Sequence, residues 1–149
     1  MADILSLDTI KIQATVESKE DAIRQAGELL VASGCVHPDY VKGMLAREKT
    51  MSTFVGNGVS IPHGEFADLQ LVNRSGISVL QVPAGVEWEE GEKAYLIVGI
   101  CATGDEHITI LQNLAEVVED LETAQFLATT TDAGAILEKL NSPIQVDQE

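Results

Sequence analysis

Tyr95-Leu96-Ile97-Val98-Gly99-Ile100-Cys101-Ala102 is apolar at nearly every position over the length of one strand. An unalternating run of this kind reads as a β-strand buried on both faces, and Gly99 inside it marks a place where a neighbour packs closely. The sequence on either side supplies further strands and helices.

Upstream, Ile77-Ser78-Val79-Leu80-Gln81-Val82 alternates as a second strand entered from an Arg74-Ser75-Gly76 turn, and Pro83, Gly85 and the polar residues 87–93 read as the connection onward. Trp88 is expected to cover an edge of the core. Ile10, Ile12, Ala14 and Val16 alternate with Lys11, Gln13 and Thr15 as a first strand. Ser18 followed by Asp21 has the spacing of a capping box, and Ile23, Ala26, Leu29 and Leu30 then recur at helical spacing up to Gly34. Pro38 suits the first residue of a second helix, with Val41, Met44 and Leu45 on one face and Arg47 and Lys49 in its last turn. Downstream, Thr103-Gly104-Asp105 opens a third helix striped by Ile108, Leu111, Leu114, Ala115 and Val118, with His107 in its first turn. Two shorter helices are expected around 123–128 and 133–140, before Pro143 and a polar tail over 142–149. Strands alternating with helices argue for an α/β or α+β layered domain, with α/β the preferred class and one domain over 1–149.

At 149 residues the chain can bury roughly two-thirds of its unfolded surface without a disulfide or metal. Its 24 acidic against 9 basic residues, a formal charge of −15, oppose binding to nucleic acid or to an anionic membrane surface. Any anion it handles must meet local positive charge or backbone amides. No apolar run approaches the roughly 20 residues of a membrane helix, and the N-terminus lacks the basic-then-apolar order of a signal peptide, so the expected location is cytoplasmic, with no membrane insertion. Cys35 and Cys101 form no CxxC pair and read as buried free thiols.

The most unusual stretch is Gly56-Asn57-Gly58-Val59-Ser60-Ile61-Pro62-His63-Gly64. Two glycines permit positive φ, Val59 and Ile61 alternate as a short strand, and Pro62 removes a donor and fixes φ where His63 begins. A histidine at a strand end with glycine after it is expected to present its ring at the surface. The bland alternative is a loop histidine packed on a turn. Other chemistries lack support. Cys35, His37, His63, Cys101 and His107 match no zinc spacing, Ser60 sits in no GxSxG elbow, and no Gly-Lys-Ser/Thr follows the glycines. No metal and no cofactor are therefore assigned. Neutral imidazole is nucleophilic and titrates near physiological pH, so His63 is suited to carry a phosphoryl group. Arg47 offers a planar fork and His107 an N–H toward such an adduct, although each also reads as an ordinary residue of a helix end.

Ala46-Arg47-Glu48, the 56–64 stretch, Arg74-Ser75-Gly76-Ile77, Pro83-Ala84-Gly85-Val86-Glu87-Trp88 and Glu106-His107-Ile108 occur in this order along nearly the whole chain. Together they resemble the IIA component of the bacterial phosphoenolpyruvate-dependent sugar phosphotransferase system, of the mannitol/fructose class and nearest its mannitol branch. The resemblance implies a mixed five-stranded sheet flanked by helices on both faces. It implies that His63 is the phosphorylated nucleophile, His107 the second active-site histidine and Arg47 the active-site arginine. The carrier HPr would be the donor and a cysteine of a mannitol/fructose-type IIB the acceptor, with a membrane IIC component moving the sugar. Position 57 is Asn where some mannitol-type relatives carry Glu, so no carboxylate is assigned there. The rival readings are a nitrogen-related regulatory phosphoprotein and a binding module that has kept the fold without the chemistry.

Overall fold

The computed structural model describes residues 4–103 and 106–144, with only the backbone described at 66, 67, 106–108 and 141–144. Five strands form one mixed sheet: β1 (Ile10–Lys11), β2 (Phe54–Gly56), β3 (Val59–Ser60), β4 (Gly76–Glu89) and β5 (Glu92–Cys101), in the order β1-β4-β5-β3-β2. The β1–β4 and β3–β5 pairs are parallel, and β4–β5 and β2–β3 are antiparallel.

Strand β5 lies second from neither edge but in the middle, and its alternation divides the core. Leu96, Val98 and Ile100 face one cluster with Val59, Ile61, Ile77 and Val79; Ile97 and Cys101 face the other with Leu80, Val82 and Trp88. The first cluster is closed by α3 (Glu106–Glu119), α4 (Leu121–Thr129) and α5 (Ala133–Ile144) through Ile110, Leu114, Leu127 and Ile136. The second is closed by α1 (Lys19–Ala32) and α2 (Tyr40–Thr50) through Ile23, Ala26, Leu30, Tyr40 and Met44. Each fully buried Leu or Ile contributes about 1.5–3 kcal/mol, so both faces of β5 are needed. Gly99 is the close approach expected of it: a Cβ there would lie 2.6 Å from Ser78 Oγ and 3.4 Å from Ala26 Cβ.

Several boundaries differ from the sequence expectation, each for a local reason. The first strand is only Ile10–Lys11 because Gln13 takes a left-handed φ of 55°, after which Ala14 N donates to Gln81 O and Gln13 N to Gln81 Oε1. β4 does not stop at Pro83. It absorbs Pro83-Ala84-Gly85 as an irregularity in register between Gln81 and Val86, and turns only at Glu90-Gly91, where Gly91 has φ of 80°. Helix α2 begins at Tyr40 and not Pro38, with Pro38 O accepting from Val41 N ahead of the helix proper. Ser18 caps α1 by accepting from Asp21 N, while the Asp21 carboxylate accepts from Glu17 N, one residue earlier than a capping box would have it. α5 runs on through Pro143 to Ile144. Among the described residues no helix is long and apolar enough to cross a membrane.

One buried ion joins the layers beneath the β2–β3 hairpin. Glu48, 7% exposed, accepts from Thr53 N (2.9 Å), Thr53 Oγ1 (2.5 Å) and Trp88 Nε1 (2.9 Å), and pairs with Lys19 Nζ at 3.2 Å. Burial pushes its pKa up, but the Thr53 donors, Lys19 and Trp88 outweigh burial and hold it below the usual carboxylate value. A depressed folded pKa contributes stability that is present above the unfolded value of about 4.3 and lost as pH falls through the folded one. Replacing Glu48 with Gln is expected to lower stability at neutral pH by about 1–3 kcal/mol. It should also flatten the acid limb of the stability profile. Denaturant melts between pH 7 and pH 3 test both, and parallel curves for the two proteins would remove the carboxylate from this role.

Candidate functional site

The site is built at one end of the parallel β3–β5 pair. After β3, the chain makes a single further ladder contact with β5, an isolated parallel bridge between His63 and Ile100 in which Ile100 N donates to Pro62 O at 3.0 Å. His63 therefore sits on the last rung of the sheet. Its ring is buried, at 6% exposure, and not presented openly as its place before a glycine led one to expect. Nδ1 lies 2.8 Å from Ile61 O, folding the imidazole back along its own strand.

That contact fixes the tautomer. A carbonyl oxygen only accepts, so Nδ1 carries the proton, and in the neutral ring the nucleophilic lone pair is on Nε2. The chain holding Ile61 is itself held, because Ile61 N donates to Thr53 O at 3.0 Å and Thr53 is anchored to buried Glu48.

Arg47 lies in the last turn of α2, half-buried, one residue before Glu48. Its Nη1 donates to Met51 O at 2.7 Å, so the guanidinium braces the turn between α2 and β2. The structure thus ties Arg47 to the His63 strand through the 47–53 segment. His107 belongs to the first turn of α3, which follows the end of β5, and its side chain lies outside the described residues. Backbone continuity places the α3 N-terminus beyond the same end of the sheet as His63, since Ile100 pairs with His63 and α3 starts at Glu106. A helix N-terminus supplies free amides and positive potential to an anion. Ser75 and Thr103 meet at this end as well, with Thr103 N donating to Ser75 Oγ at 3.0 Å.

Three features of the surrounding scaffold carry contacts that the sequence did not show, the third of them at the far end of α3 from His63. Tyr40 is 3% exposed, and its hydroxyl accepts from Gly64 N at 2.9 Å while donating to Ile100 O at 2.9 Å. Burial pushes its phenol well above the ordinary range, so it stays protonated. Gly43, one turn on along α2, leaves room for the Asp68 carboxylate, which accepts from Glu65 N and caps the 3-10 helix Phe66–Leu71 that follows the site. Asn57 has φ of 54° at the hairpin tip, and its Nδ2 donates to Val118 O and Glu119 O, both at 3.0 Å. It satisfies the C-terminal carbonyls of α3, so position 57 here joins the hairpin to that helix. The only prior signal was glycine on both sides of Asn57, which marks a left-handed turn. Among the described residues no three His, Cys, Asp or Glu side chains gather as a metal site.

The comparisons with known proteins agree with this architecture. The family model described as phosphoenolpyruvate-dependent sugar phosphotransferase system, EIIA 2, matches residues 3–142. The chain is 40% identical over 141 residues to the mannitol-specific phosphotransferase enzyme IIA component of Bacillus subtilis, covering 93% of this chain and 99% of that protein. It is 47% identical over 133 residues to a multiphosphoryl transfer protein of Xanthomonas campestris, where the match covers 89% of this chain but spans only 16% of the relative. A solution structure of the Escherichia coli mannitol enzyme IIA, in complex with phosphorylated mannitol enzyme IIB, superposes with a TM-score of 0.86 at 36% identity, covering 91% of this chain and 97% of that one. The chain belongs to the EIIA 2 family of the phosphoenolpyruvate-dependent sugar phosphotransferase system.

Proposed function

We propose that this chain is a cytoplasmic phosphocarrier, a single EIIA domain over 1–149 that takes a phosphoryl group from phospho-HPr onto His63 and passes it to a cysteine of a IIB component. The observation that carries the reading is the Nδ1–H bond to Ile61 O, which leaves Nε2 as the nucleophilic nitrogen of the neutral ring. In the first transfer a bond forms between His63 Nε2 and phosphorus as the donor's own nitrogen–phosphorus bond breaks. In the second, a thiolate sulfur attacks the same phosphorus and His63 leaves as neutral imidazole. Neither step needs a metal or cofactor on this chain, because positioning and charge stabilisation supply most of the catalysis in phosphoryl transfer.

Arg47 and His107 are assigned to the charge that develops on the phosphoryl oxygens. Arg47 would exchange its bond to Met51 O for a forked contact with the anion, and the amides at the start of α3 would add to it. The burial of His63 suits a carrier, since an adduct shielded from water survives until the next protein docks. The mannitol-specific name of the Bacillus relative, and the IIB partner in the Escherichia coli complex, favour a mannitol-type IIB as acceptor, with a membrane IIC component downstream.

Incubation with phosphoenolpyruvate, enzyme I and HPr, read by intact-mass spectrometry, is expected to add one acid-labile phosphoryl group to the wild type and none to His63→Ala. Full labelling of that variant would overturn the assignment. A phosphorylated chain that discharges to no sugar-specific IIB would point instead to the regulatory reading. Arg47→Gln should keep the fold and slow transfer by roughly 10²-fold, the scale of losing one donor to a developing charge. Rapid-quench kinetics check this, and unchanged rate constants would leave Arg47 as a turn brace alone.

A further inference from the structure

In a parallel ladder, a bridge between two residues is closed by two bonds. Around the His63–Ile100 bridge the first is present, Ile100 N to Pro62 O at 3.0 Å. The second would run from the amide after His63, that of Gly64, to Ile100 O. Gly64 N instead donates to Tyr40 Oη at 2.9 Å, and Tyr40 Oη donates to Ile100 O at 2.9 Å. A phenol from helix α2 is thus inserted into the last rung of the sheet, accepting from one strand and donating to the other. We propose that Tyr40 is a positioning residue for phosphoryl transfer, its hydroxyl bridging the two backbones just after His63 and so setting where the imidazole points. This inference rests on the carrier reading of His63.

Three observations make the insertion more than a core tyrosine finding partners. Its two partners are the amide that follows His63 and the carbonyl that faces it, so the hydroxyl acts on the backbone of this residue. Gly64 is matched to it, because a Cβ at that position would lie 2.6 Å from the Tyr40 ring. The ring itself is wedged in the core at 3% exposure, so the hydroxyl cannot swing away to water. The motif's final glycine is thereby explained by space and not by a left-handed backbone, and pairing with β5 goes no further than the His63 bridge, where a side chain enters the next bond.

Tyr40→Phe retains the ring and removes only the relay. The two backbone groups must then close on each other, drawing Gly64 toward β5, or remain unpaired. Either changes the attitude of His63, and a displacement near 1 Å at a reacting group costs up to about 10²-fold in rate. In single-turnover phosphorylation by phospho-HPr, we expect a folded Tyr40→Phe protein to transfer at least about tenfold more slowly at saturating donor, with half-saturation unchanged. The ¹⁵N shifts of His63 Nδ1 and Nε2 should move in the unphosphorylated variant, a change that a purely stabilising tyrosine would not produce. Equal rate constants and equal imidazole shifts in a folded variant would overturn the inference. Should the variant fail to fold, the wild type still decides: the Tyr40 hydroxyl proton should be protected from exchange and show a cross-peak to the Gly64 amide, and a freely exchanging hydroxyl overturns the relay. A wild type that accepts no phosphoryl group would sink the carrier reading, whereas the imidazole and hydroxyl measurements need no phosphorylation.

Discussion

The bond from Ile100 N to Pro62 O is the point on which the site depends. It is the last direct link between the segment that continues β3 and the doubly buried β5, and it attaches His63 to the central strand of the sheet. β3 alone has two residues, too few to hold a side chain in one attitude. Its order comes from β5 on one side and from Thr53, through Ile61 N, on the other. Thr53 is in turn fixed by Glu48, whose charge is compensated by Lys19 at the start of α1 and by the indole of Trp88 on β4. The segment that carries His63, although it follows a strand of only two residues, is therefore supported from β5, α2, α1 and β4. That suits the carrier role proposed for His63, in which one nitrogen would be presented to two different proteins.

Helix α2 does much of this work along one side. Tyr40, Gly43 and Arg47 follow one another at helical spacing, and each serves the segment from 51 to 68: Tyr40 at the rung after His63, Gly43 at the capped 3-10 helix, Arg47 at the Met51 carbonyl. Glu48 adds the fourth contact from the same last turn. The apolar stripe read from the sequence, Val41, Met44 and Leu45, packs this helix onto α1 and the sheet, and only Met44 in it is fully buried. The polar positions between these residues carry the site.

The sequence was most informative where pattern has a single physical reading. The unbroken apolar run of β5 is consistent with a strand covered on both faces, and the structure covers it so; the mixed sheet was implied by the family resemblance and not by the run itself. The glycines at 56 and 58 announced a turn needing positive φ, and the hairpin has it at both, with Asn57 between them left-handed as well. Less was legible where tertiary contacts override local preference. Residues 12–16 alternate as a strand, yet Gln81 captures Gln13 and Ala14 after only two residues of pairing, because its buried amide also ties down the end of α4 at Leu127 O and Thr130 O. Pro83 and Gly85 look like a loop, but a bulged strand keeps the valine and tryptophan beyond them in the core. The burial of His63 was hidden for a related reason: Pro62-His63-Gly64 describes a strand end, and nothing local shows that the ring will fold back onto Ile61 O or that Tyr40 will close over Gly64.

A net charge of −15 makes an anion carrier look improbable until the placement of that charge is considered. Among the described residues, the buried carboxylate near the His63 strand, Glu48, has its negative charge taken up by Lys19 and by three neutral donors, with Trp88 among them. What the described structure brings to the end of β3 and β5 is mostly neutral: a tyrosine hydroxyl, backbone amides, the imidazole itself and the start of α3. The Tyr40 hydroxyl and the Gly64 amide are already paired with each other and with Ile100 O, so on the carrier reading proposed above the amides at the start of α3 are left to favour a phosphoryl group, less tightly than a cluster of lysines would. A carrier needs that balance, because an adduct stabilised too far would never move on. A net charge of this size opposes approach to nucleic acid and anionic membranes, and it favours a basic partner over an acidic one.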